Sequence, residues 1–341
     1  MVVEDVPARE GGEEGAMSVS VETGNPVLEA GDSAETTRPA AGDIHEHLYL
    51  LGRPTLKQFL RYVAGHAVRN PGAGRLADLW RSGLARVEEL VQEEPAAAND
   101  PEMSKLGPEY EPLLVELLKD PLIRGNFNTV GTDITLVELD RLVVYQRHID
   151  LTHARRIEAK LGPAPSLEAI FRTCLPWDHP QPPASWSRVH RNRFVFVSPS
   201  NDLRFLSALS LRPSQLRNLD PPGDLVGVAG IAVGFGSNFL NAIYSHGRLV
   251  LNNGSHRAYA LRNLGVTHVP CIVQHATSDD ELQVIAPTDL RNDPDSYLRR
   301  PRPTMLKDYF DSRLVTVFEA VRRLRQVTVR IEIEEQSIPA V

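Results

Sequence analysis

The spacing of apolar residues changes twice along the first third of the chain. Residues 1–42 mix Glu, Gly, Ala, Ser, Thr and Pro with few large apolar side chains. Such a segment buries too little surface to offset its chain entropy, so we predict a disordered acidic tail there. Apolar residues then recur at helical spacing over Ile44 to Arg69, where Pro54 and Thr55 suit a helix start after Gly52, and over Leu76 to Gln92 and Pro108 to Leu118. This pattern predicts a helical region at 43–125.

The next segment, 126–280, alternates strand and helix patterns. The predicted strands are Thr132 to Leu139, Phe194 to Ser198, Val226 to Val233 and Thr267 to Val273, with a hairpin of Ala242 to Tyr244 and Arg248 to Leu251. The predicted helices are Leu151 to Leu161, Asp202 to Leu209 and Ser255 to Leu264. We therefore expect an α+β domain with a mixed sheet and flanking helices at 126–280.

The last segment, 281–341, is predicted as a C-terminal extension. Prolines at loop spacing come first, and a helix and a strand follow. Val327, Val329, Ile331 and Ile333 alternate with polar residues, which is typical of a half-exposed antiparallel strand.

Composition narrows the class of protein. The chain has 341 residues, 42% hydrophobic and 24% charged, and no run of 18 apolar residues, so no membrane span is expected. The N-terminus lacks the basic start and apolar stretch of a secretory signal. The two cysteines, Cys174 and Cys271, are expected to be buried free thiols, so we predict a cytoplasmic protein.

Charge is distributed unevenly. The net charge is −7, but residues 1–43 carry ten acidic and two basic side chains, so the rest of the chain is close to neutral. A near-neutral region without a basic stripe does not favour nucleic acid as a partner. The tail at 1–42 is a candidate for docking a protein partner.

One turn carries candidate chemistry. A strand ends at Asn252-Asn253-Gly254, and a helix begins at once with Ser255-His256-Arg257. The first N–H groups of a helix have no intrahelical partner and favour anions. Ser255 can cap the helix or donate a hydrogen bond from its hydroxyl, and His256 can donate a hydrogen bond from its ring. Arg257 can bind two phosphate oxygens at once through its guanidinium. An ordinary strand, turn and helix with a serine cap would show the same spacing.

This turn also resembles a known family. A strand, Asn252 to Arg257, a helix, Leu264-Gly265 and a strand with Val269-Pro270 are similar to the second conserved box of the ParB/sulfiredoxin superfamily. Val137 to Asp150, which contains Gln146-Arg147, resembles the first box. The resemblance covers about 132–275. It implies a ParB/sulfiredoxin-like fold in which the Asn252–Arg257 turn binds phosphates and Gln146 and Arg147 also reach the nucleotide.

The chain departs from the family at informative positions. Sulfiredoxins have a nucleophilic Cys where Ser255 stands, so sulfinic acid reduction is not expected. Partition proteins have a Glu-Arg-Arg version, which Ser255 and His256 do not match, and no helix-turn-helix DNA reader is apparent after residue 276. Free-serine kinases, a third branch, transfer phosphate from a nucleotide, and this activity stays open.

Candidate catalytic groups are few. Glu138 and Asp140 share one face of a predicted strand and, with Ser255, are the catalytic candidates. Solvated charges at a strand end are the alternative reading. Histidines recur about every ten residues at His246, His256, His268 and His275, a spacing that fits no compact metal motif, so no protein metal site is predicted.

The sequence therefore leads to one hypothesis and two alternatives. The hypothesis is binding of a nucleotide or another phosphorylated small molecule at Asn252–Arg257, with ATP or CTP and Mg²⁺ as the expected ligands. Whether the chain is an enzyme stays open, and phosphoryl transfer or nucleotide hydrolysis is the reaction class to expect. The alternatives are a non-catalytic scaffold that recruits a partner through residues 1–42, and a DNA-associated ParB-like protein.

Overall fold

The computed structural model describes residues 19–22, 44–216 and 223–339. Within them, the strands are β1 (Val19–Glu22), β2 (Ile44–Leu50), β3 (Met103–Lys105), β4 (Gly131–Glu138), β5 (Val143–Val144), β6 (His148–Asp150), β7 (Ser185–His190), β8 (Arg193–Ser198), β9 (Leu203–Leu211), β10 (Val228–Phe235), β11 (Asn241–Ser245), β12 (Arg248–Asn253), β13 (His268–His275), β14 (Val315–Val321) and β15 (Arg325–Ile331). The α-helices are α1 (Leu56–His66), α2 (Ala73–Glu93), α3 (Glu111–Leu117), α4 (Pro121–Asn126), α5 (Leu151–Leu161), α6 (Leu167–Cys174), α7 (Ser255–Asn263), α8 (Asp279–Ile285), α9 (Thr288–Asn292) and α10 (Pro294–Leu298). The chain has the α+β fold that the sequence predicts.

Contacts divide the chain into two units. Among the described residues, the larger unit comprises 44–180 and 237–322, and the smaller unit comprises 19–22, 181–216, 223–236 and 323–339. These limits do not coincide with the predicted boundaries at 42, 125 and 280, because strands far apart in sequence pair with one another.

A six-stranded mixed sheet forms the centre of the larger unit. Its strand order is β3-β4-β13-β11-β12-β5. The hairpin of β11 and β12 is antiparallel, whereas β13 runs parallel to β11 and β5 runs parallel to β12. Helix α7 makes the crossover from β12 to β13. Buried side chains of α6 and α7, among them Phe171, Ala258 and Leu261, join the strands in one core.

A second sheet of the larger unit has the order β14-β2-β6. Leu48, Leu50 and Ile149 lie in the same core as the six-stranded sheet. Tyr49 packs instead with Phe59 and other apolar residues of α1. Because side chains alternate along a strand, one face of this sheet packs on the core, and the other face, on which Tyr49 lies, is directed toward α1.

The smaller unit is a β structure in the residues described. One sheet has the order β1-β15-β8-β7, and β9 pairs with β10. Its small core contains Leu203, Val327 and Val329.

Several predicted elements are confirmed. Strand β4, the β11–β12 hairpin, helices α5 and α7, and strand β13 lie where the patterns indicate. Strand β15 is antiparallel to β8, as its alternation predicts. Both cysteines are free and buried.

Other predictions are wrong in an instructive way. Ile44 to Arg69 is helical only after its predicted start, where Thr55 caps α1. The residues before Pro54 include β2, whose apolar residues alternate between two buried faces. Asp202 to Leu209 is not a helix, because Asp202 lies in a turn and the residues from Leu203 onward belong to strand β9. In the C-terminal segment, the helices are α8, α9 and α10, and the chain then continues into two strands, β14 and β15.

The predicted acidic tail falls almost wholly outside the described residues. Only Val19–Glu22 is described, and it forms β1, which pairs with β15. Among the helices of the described segments, none has the length and apolar character needed to cross a bilayer.

A buried ion pair fixes the segment that precedes β14. Arg302 is 1% exposed and Asp308 is 4% exposed. The guanidinium binds both carboxylate oxygens, at 2.5 and 3.0 Å, and Asp308 also accepts the Met305 N–H at 2.9 Å. Removing Asp308 would leave the buried guanidinium with Glu94, at 3.1 Å, as its remaining carboxylate partner, so its charge would be compensated only in part.

We therefore predict that Asp308→Ala lowers the free energy of unfolding by about 3–5 kcal/mol. The measurement is urea denaturation of the purified chain. Asp295→Ala is the matched control, because Asp295 forms an exposed ion pair with Arg299 and exposed pairs contribute little. Equal losses in the two variants would contradict the structural role of the buried pair.

Candidate functional site

The two segments that resemble family boxes lie side by side. Strand β5 pairs in parallel with β12, with Val143 opposite Val250 and Val144 opposite Leu251. Tyr145 follows β5, and its hydroxyl donates to the carbonyl of Asn252, near the end of β12, at 2.6 Å. The two chain segments thus leave the sheet side by side at the carboxyl ends of β5 and β12, as the hypothesis of a shared site requires.

The turn itself depends on Gly254. Its φ of +103° lies in the left-handed region, and a Cβ there would come within 3.0 Å of Leu240 Cγ. Gly254 occupies the N-cap position of α7, and no side chain caps the helix. Ser255 is the first helical residue, so it does not provide the cap that the sequence suggested. The N-terminus of α7 therefore keeps backbone N–H groups without intrahelical partners.

Arg257 points into the protein. Its residue is 9% exposed. Its Nη1 donates to the backbone carbonyls of Asn238 at 2.7 Å and of Thr173 and Cys174 at 3.2 Å each. These contacts join the first turn of α7 to the end of α6 and to the segment before β11. Arg257 thus positions the turn.

The two asparagines also stabilise the turn. Asn252 Nδ2 donates to Asn241 Oδ1 at 2.9 Å, and Asn253 Nδ2 donates to the Ser237 carbonyl at 3.2 Å. Both bonds tie the end of β12 to the start of β11. Their side chains therefore shape the turn from within.

The first box contributes one basic side chain near this edge. The carbonyl of Gln146 accepts the Tyr309 hydroxyl at 2.6 Å, and the carbonyl of Arg147 accepts the Leu50 N–H at 2.9 Å. Arg147 is partly exposed, and its charge acts on Tyr297. The Tyr297 ring lies 6.4 Å from that of Tyr145, which itself contacts the turn. Arg147 is thus a partly exposed cation of the first box.

The predicted catalytic carboxylates lie elsewhere. Asp140 binds Arg262, in the last turn of α7, at 3.0 and 3.2 Å. Glu138 lies 3.4 Å from Arg141 and, with Asp140, lines a cavity of about 340 Å³. At a rise of 1.5 Å per residue, Arg262 is about 10 Å along α7 from Ser255. The structure therefore does not bring Glu138 and Asp140 together with Ser255.

Near the start of α7, the structure assembles a histidine cluster that sequence reasoning missed. Strand alternation puts four polar side chains on one face of the β2–β6 ladder, namely His45, His47, His148 and Asp150. The signal in the sequence was His-x-His in one strand and His-x-Asp in another. Because these pairs are about a hundred residues apart, neither one alone indicates a site.

Asp150 holds this cluster together. Its Oδ2 lies 2.6 Å from His45 Nδ1, and its Oδ1 accepts the His153 N–H and so caps α5. Its own N–H donates to His256 Nε2 at 3.0 Å. His256, predicted as a phosphate donor, therefore uses Nε2 as an acceptor and can donate only through Nδ1.

Helix α1 covers the other side of the cluster. The Tyr62 hydroxyl lies 2.9 Å from His47 Nδ1, and the Tyr62 carbonyl accepts His66 Nδ1–H at 2.8 Å. The rings of His148 and His66 lie 5.4 and 6.3 Å from that of His47. The histidine cluster thus comprises His45, His47, His66, His148, His153 and His256 with Asp150.

Burial controls the charge of this cluster. It lowers the pKa of His47 and of His256 to about 4 and that of His148 to about 3. Burial acts to raise the pKa of Asp150, but the hydrogen bonds from His45 and the His153 N–H outweigh it, so this pKa is lowered. At neutral pH these three imidazoles are therefore uncharged beside a carboxylate.

Part of the cluster has the composition of a metal site. Ligand atoms of His45, His47 and Asp150 all lie within 4.8 Å of one another, the one such group found in the described residues. Of the histidines considered from the sequence, His256 belongs to the histidine cluster but not to this group of three. His246 lies 3.6 Å from Asp279, and His275 lies 3.2 Å from Asp133.

The lowered histidine pKa values predict a stability that depends on pH. Between about pH 6.5 and pH 4 the unfolded chain binds protons that the folded chain does not, so the free energy of unfolding falls as pH is lowered through this range. Above pH 6.5 both states are neutral at these positions and the effect vanishes. Urea denaturation at a series of pH values, with EDTA present, measures the slope of the free energy of unfolding against pH. His256→Gln keeps an acceptor for the Asp150 N–H and should reduce this slope by the amount that corresponds to about one proton. An unchanged slope in this variant would contradict the prediction.

Because Arg257 binds three backbone carbonyls, its removal should lower the stability of the folded chain. Arg257→Ala removes the donor that joins the carbonyls of Asn238, Thr173 and Cys174, of which Cys174 keeps a bond from the Leu240 N–H, and should lower the free energy of unfolding by about 2–3 kcal/mol. Thermal and urea denaturation provide the measurement. Arg262→Ala, on the same helix but in a partly exposed ion pair, is the control and should have a smaller effect. A larger loss of stability in Arg262→Ala than in Arg257→Ala would show that Arg257 does not stabilise the turn.

No protein-family model, no curated protein and no solved structure matches this chain.

Proposed function

We propose that this chain binds a phosphorylated small molecule, with a nucleotide as the first class to test, at the Asn252–Arg257 turn. The observation that carries the proposal is the parallel pairing of β5 with β12. It brings the residues after Val144 and the N-terminus of α7 to one edge of the sheet. The carboxyl ends of parallel strands followed by a helix N-terminus are a recurrent setting for phosphate binding.

Specific groups of this edge suit an anion. Helix α7 has no side-chain cap, so its first N–H groups remain for a ligand. Ser255 offers a hydroxyl at the first helical position, and Arg147 offers a partly exposed guanidinium from the first box. In this proposal Arg257, Asn252 and Asn253 shape the turn instead of contacting the phosphate.

The proposal extends to a ParB/sulfiredoxin-like arrangement of the larger unit. The order of the two boxes and their adjacency at one edge support it. Ser255 in place of a nucleophilic cysteine weighs against sulfinic acid reduction. The buried free thiols of Cys174 and Cys271 suit the reducing cytoplasm, where we place the protein.

We favour binding over turnover at this turn. The carboxylates expected to assist phosphoryl transfer or hydrolysis, Glu138 and Asp140, lie near the far end of α7. ATP or CTP with Mg²⁺ is the expected ligand pair, with the ion held chiefly by the phosphates, because Mg²⁺ often binds proteins through a nucleotide.

The test is calorimetric titration of the full chain with ATP, CTP and their diphosphates, with and without Mg²⁺. Ser255→Glu puts a carboxylate where the phosphate would bind, while an acidic residue in the first turn suits the helix, so the variant should fold. We expect it to weaken nucleotide binding about tenfold or more. Thr288→Glu adds the same charge at the first position of α9 and should leave binding unchanged.

Two outcomes would overturn the proposal. One is the absence of saturable binding by any of these nucleotides. The other is equal affinity in the wild type and in Ser255→Glu, which would put the nucleotide elsewhere on the chain. Circular dichroism of both variants establishes that a lost signal does not reflect unfolding.

A further inference from the structure

The hairpin of β7 and β8 in the smaller unit concentrates positive charge. Its two-residue turn is Arg191-Asn192, and Arg193 begins β8 directly after it. Residues 181–201 contain three arginines and no acidic side chain. Among the described residues, no carboxylate forms an ion pair with Arg188, Arg191 or Arg193. The turn is therefore a cationic surface whose charge the described part of the chain does not compensate.

One of these arginines has a polar atom without a partner. Arg193 Nε is buried and has no hydrogen-bond partner among the described residues. Arg188 differs, because its Nε donates to the Arg191 carbonyl at 3.1 Å and its guanidinium lies over the Phe194 ring at 5.7 Å. Arg188 thus stabilises the turn, whereas Arg193 lacks an acceptor. A carboxylate that binds Nε and one Nη together is the acceptor that best suits a guanidinium.

The N-terminal segment of the chain enters the sheet next to this turn. Val19 of β1 is paired with Ile331 of β15, and the Ile331 N–H donates to the Asn192 carbonyl at 2.9 Å. Val19, Ile331 and Asn192 therefore lie in one row across the sheet. Two strand spacings put Val19 about 10 Å from the turn. Residues 1–18 thus join the sheet at the end where the hairpin turns.

The charge of residues 1–18 is opposite to that of the hairpin. The segment contains five acidic side chains and one arginine, a net charge of −4. Glu13 and Glu14 precede Val19 by six and five residues. Five extended residues span roughly 17 Å, which is enough to reach the turn. Exposed ion pairs are weak individually, but a short tether gives these carboxylates a high effective concentration at the hairpin.

Three other carboxylates belong to the same end of the sheet. Glu332, Glu334 and Glu335 follow β15, whose last residue is Ile331. None of them forms an ion pair with the arginines of the hairpin in the described structure. They provide a control for the effect of negative charge near the turn.

We propose that residues 1–18 of this chain bind the β7–β8 turn, with Glu13 and Glu14 on the guanidinium groups of Arg191 and Arg193. The hairpin thus takes an acidic segment, and the same chain supplies it. The contact lies within the smaller unit and goes beyond the proposed function, because it does not involve the Asn252–Arg257 turn. A partner that recruits the acidic segment would have to displace it from the hairpin.

The experiment measures arginine side-chain signals by NMR in the full chain labelled with ¹⁵N. Glu13→Gln/Glu14→Gln removes the charge and keeps the length of the segment. We expect the Nε–H signals of Arg191 and Arg193 to shift and their hydrogen exchange to become about two- to fivefold faster, as for the loss of exposed ion pairs. About 1 M NaCl should have the same effect on the wild type, because salt screens exposed charges.

Two controls separate this contact from a general effect of charge. Glu334→Gln/Glu335→Gln removes the same amount of charge from the segment after β15 and should leave the Arg191 and Arg193 signals unchanged. Arg212 is an exposed arginine of the same unit, and its signal should not respond to the loss of Glu13 and Glu14.

A second measurement identifies the occupant directly. Arg191→Lys supplies an amine that a carbodiimide joins to a carboxylate in contact with it. Mass spectrometry should find position 191 linked to Glu13 or Glu14 within one chain, with a severalfold lower yield in about 1 M NaCl. Arg212→Lys should give no link to residues 1–18.

The proposal is overturned if the Arg191 and Arg193 signals do not respond to Glu13→Gln/Glu14→Gln, or if Glu334→Gln/Glu335→Gln changes them equally. A link between two chains, or a link to Glu334 or Glu335 in place of Glu13 and Glu14, would also overturn it. Failure of nucleotide binding would not alter any of these outcomes.

Discussion

The hydrogen bonds of Asp150 are the interactions on which the rest of this region depends. One residue ends β6, caps α5, orients His45 of β2 and donates its N–H to His256 of α7. Four elements from three distant parts of the chain therefore take their mutual positions from one carboxylate and one amide. Because the carboxylate is partly buried, no water molecule can replace all of these contacts at once.

The register of β2 on β6 fixes the geometry of the cluster. Leu48 and Ile149 face the core, so their neighbours His47 and Asp150 must face the opposite way. A slip of one residue would put imidazoles in the core and leucines beside Asp150, at the full cost of burying polar groups without partners. Apolar packing on one face thus determines the arrangement of polar groups on the other, which explains how so many histidines converge without a metal-binding loop.

Local patterns predicted much of this fold, and their failures have physical causes. The β11–β12 hairpin, α7 and β13 have strong turn signals and continuous apolar runs, so their sequence determines them locally. Strand β2 was read as helix because both of its faces are buried, which removes the alternation that marks a half-exposed strand.

The turn at Gly254 was predictable, but the inward direction of Arg257 depends on carbonyls of α6. The histidine cluster needs the pairing of β2 with β6, and no local pattern contains that pairing.

The sheet order β14-β2-β6 also has a consequence for biosynthesis. Strand β2 is made early, yet its partner β14 is among the last segments of the larger unit to leave the ribosome. Until then, β2 has an unpaired edge, and such edges are prone to pair with other chains. Strands that are far apart in sequence pair slowly, because the entropy of closing the loop between them is lost before any strand contact compensates for that loss. Nascent chains that stop before β14 would therefore be candidates for chaperone binding.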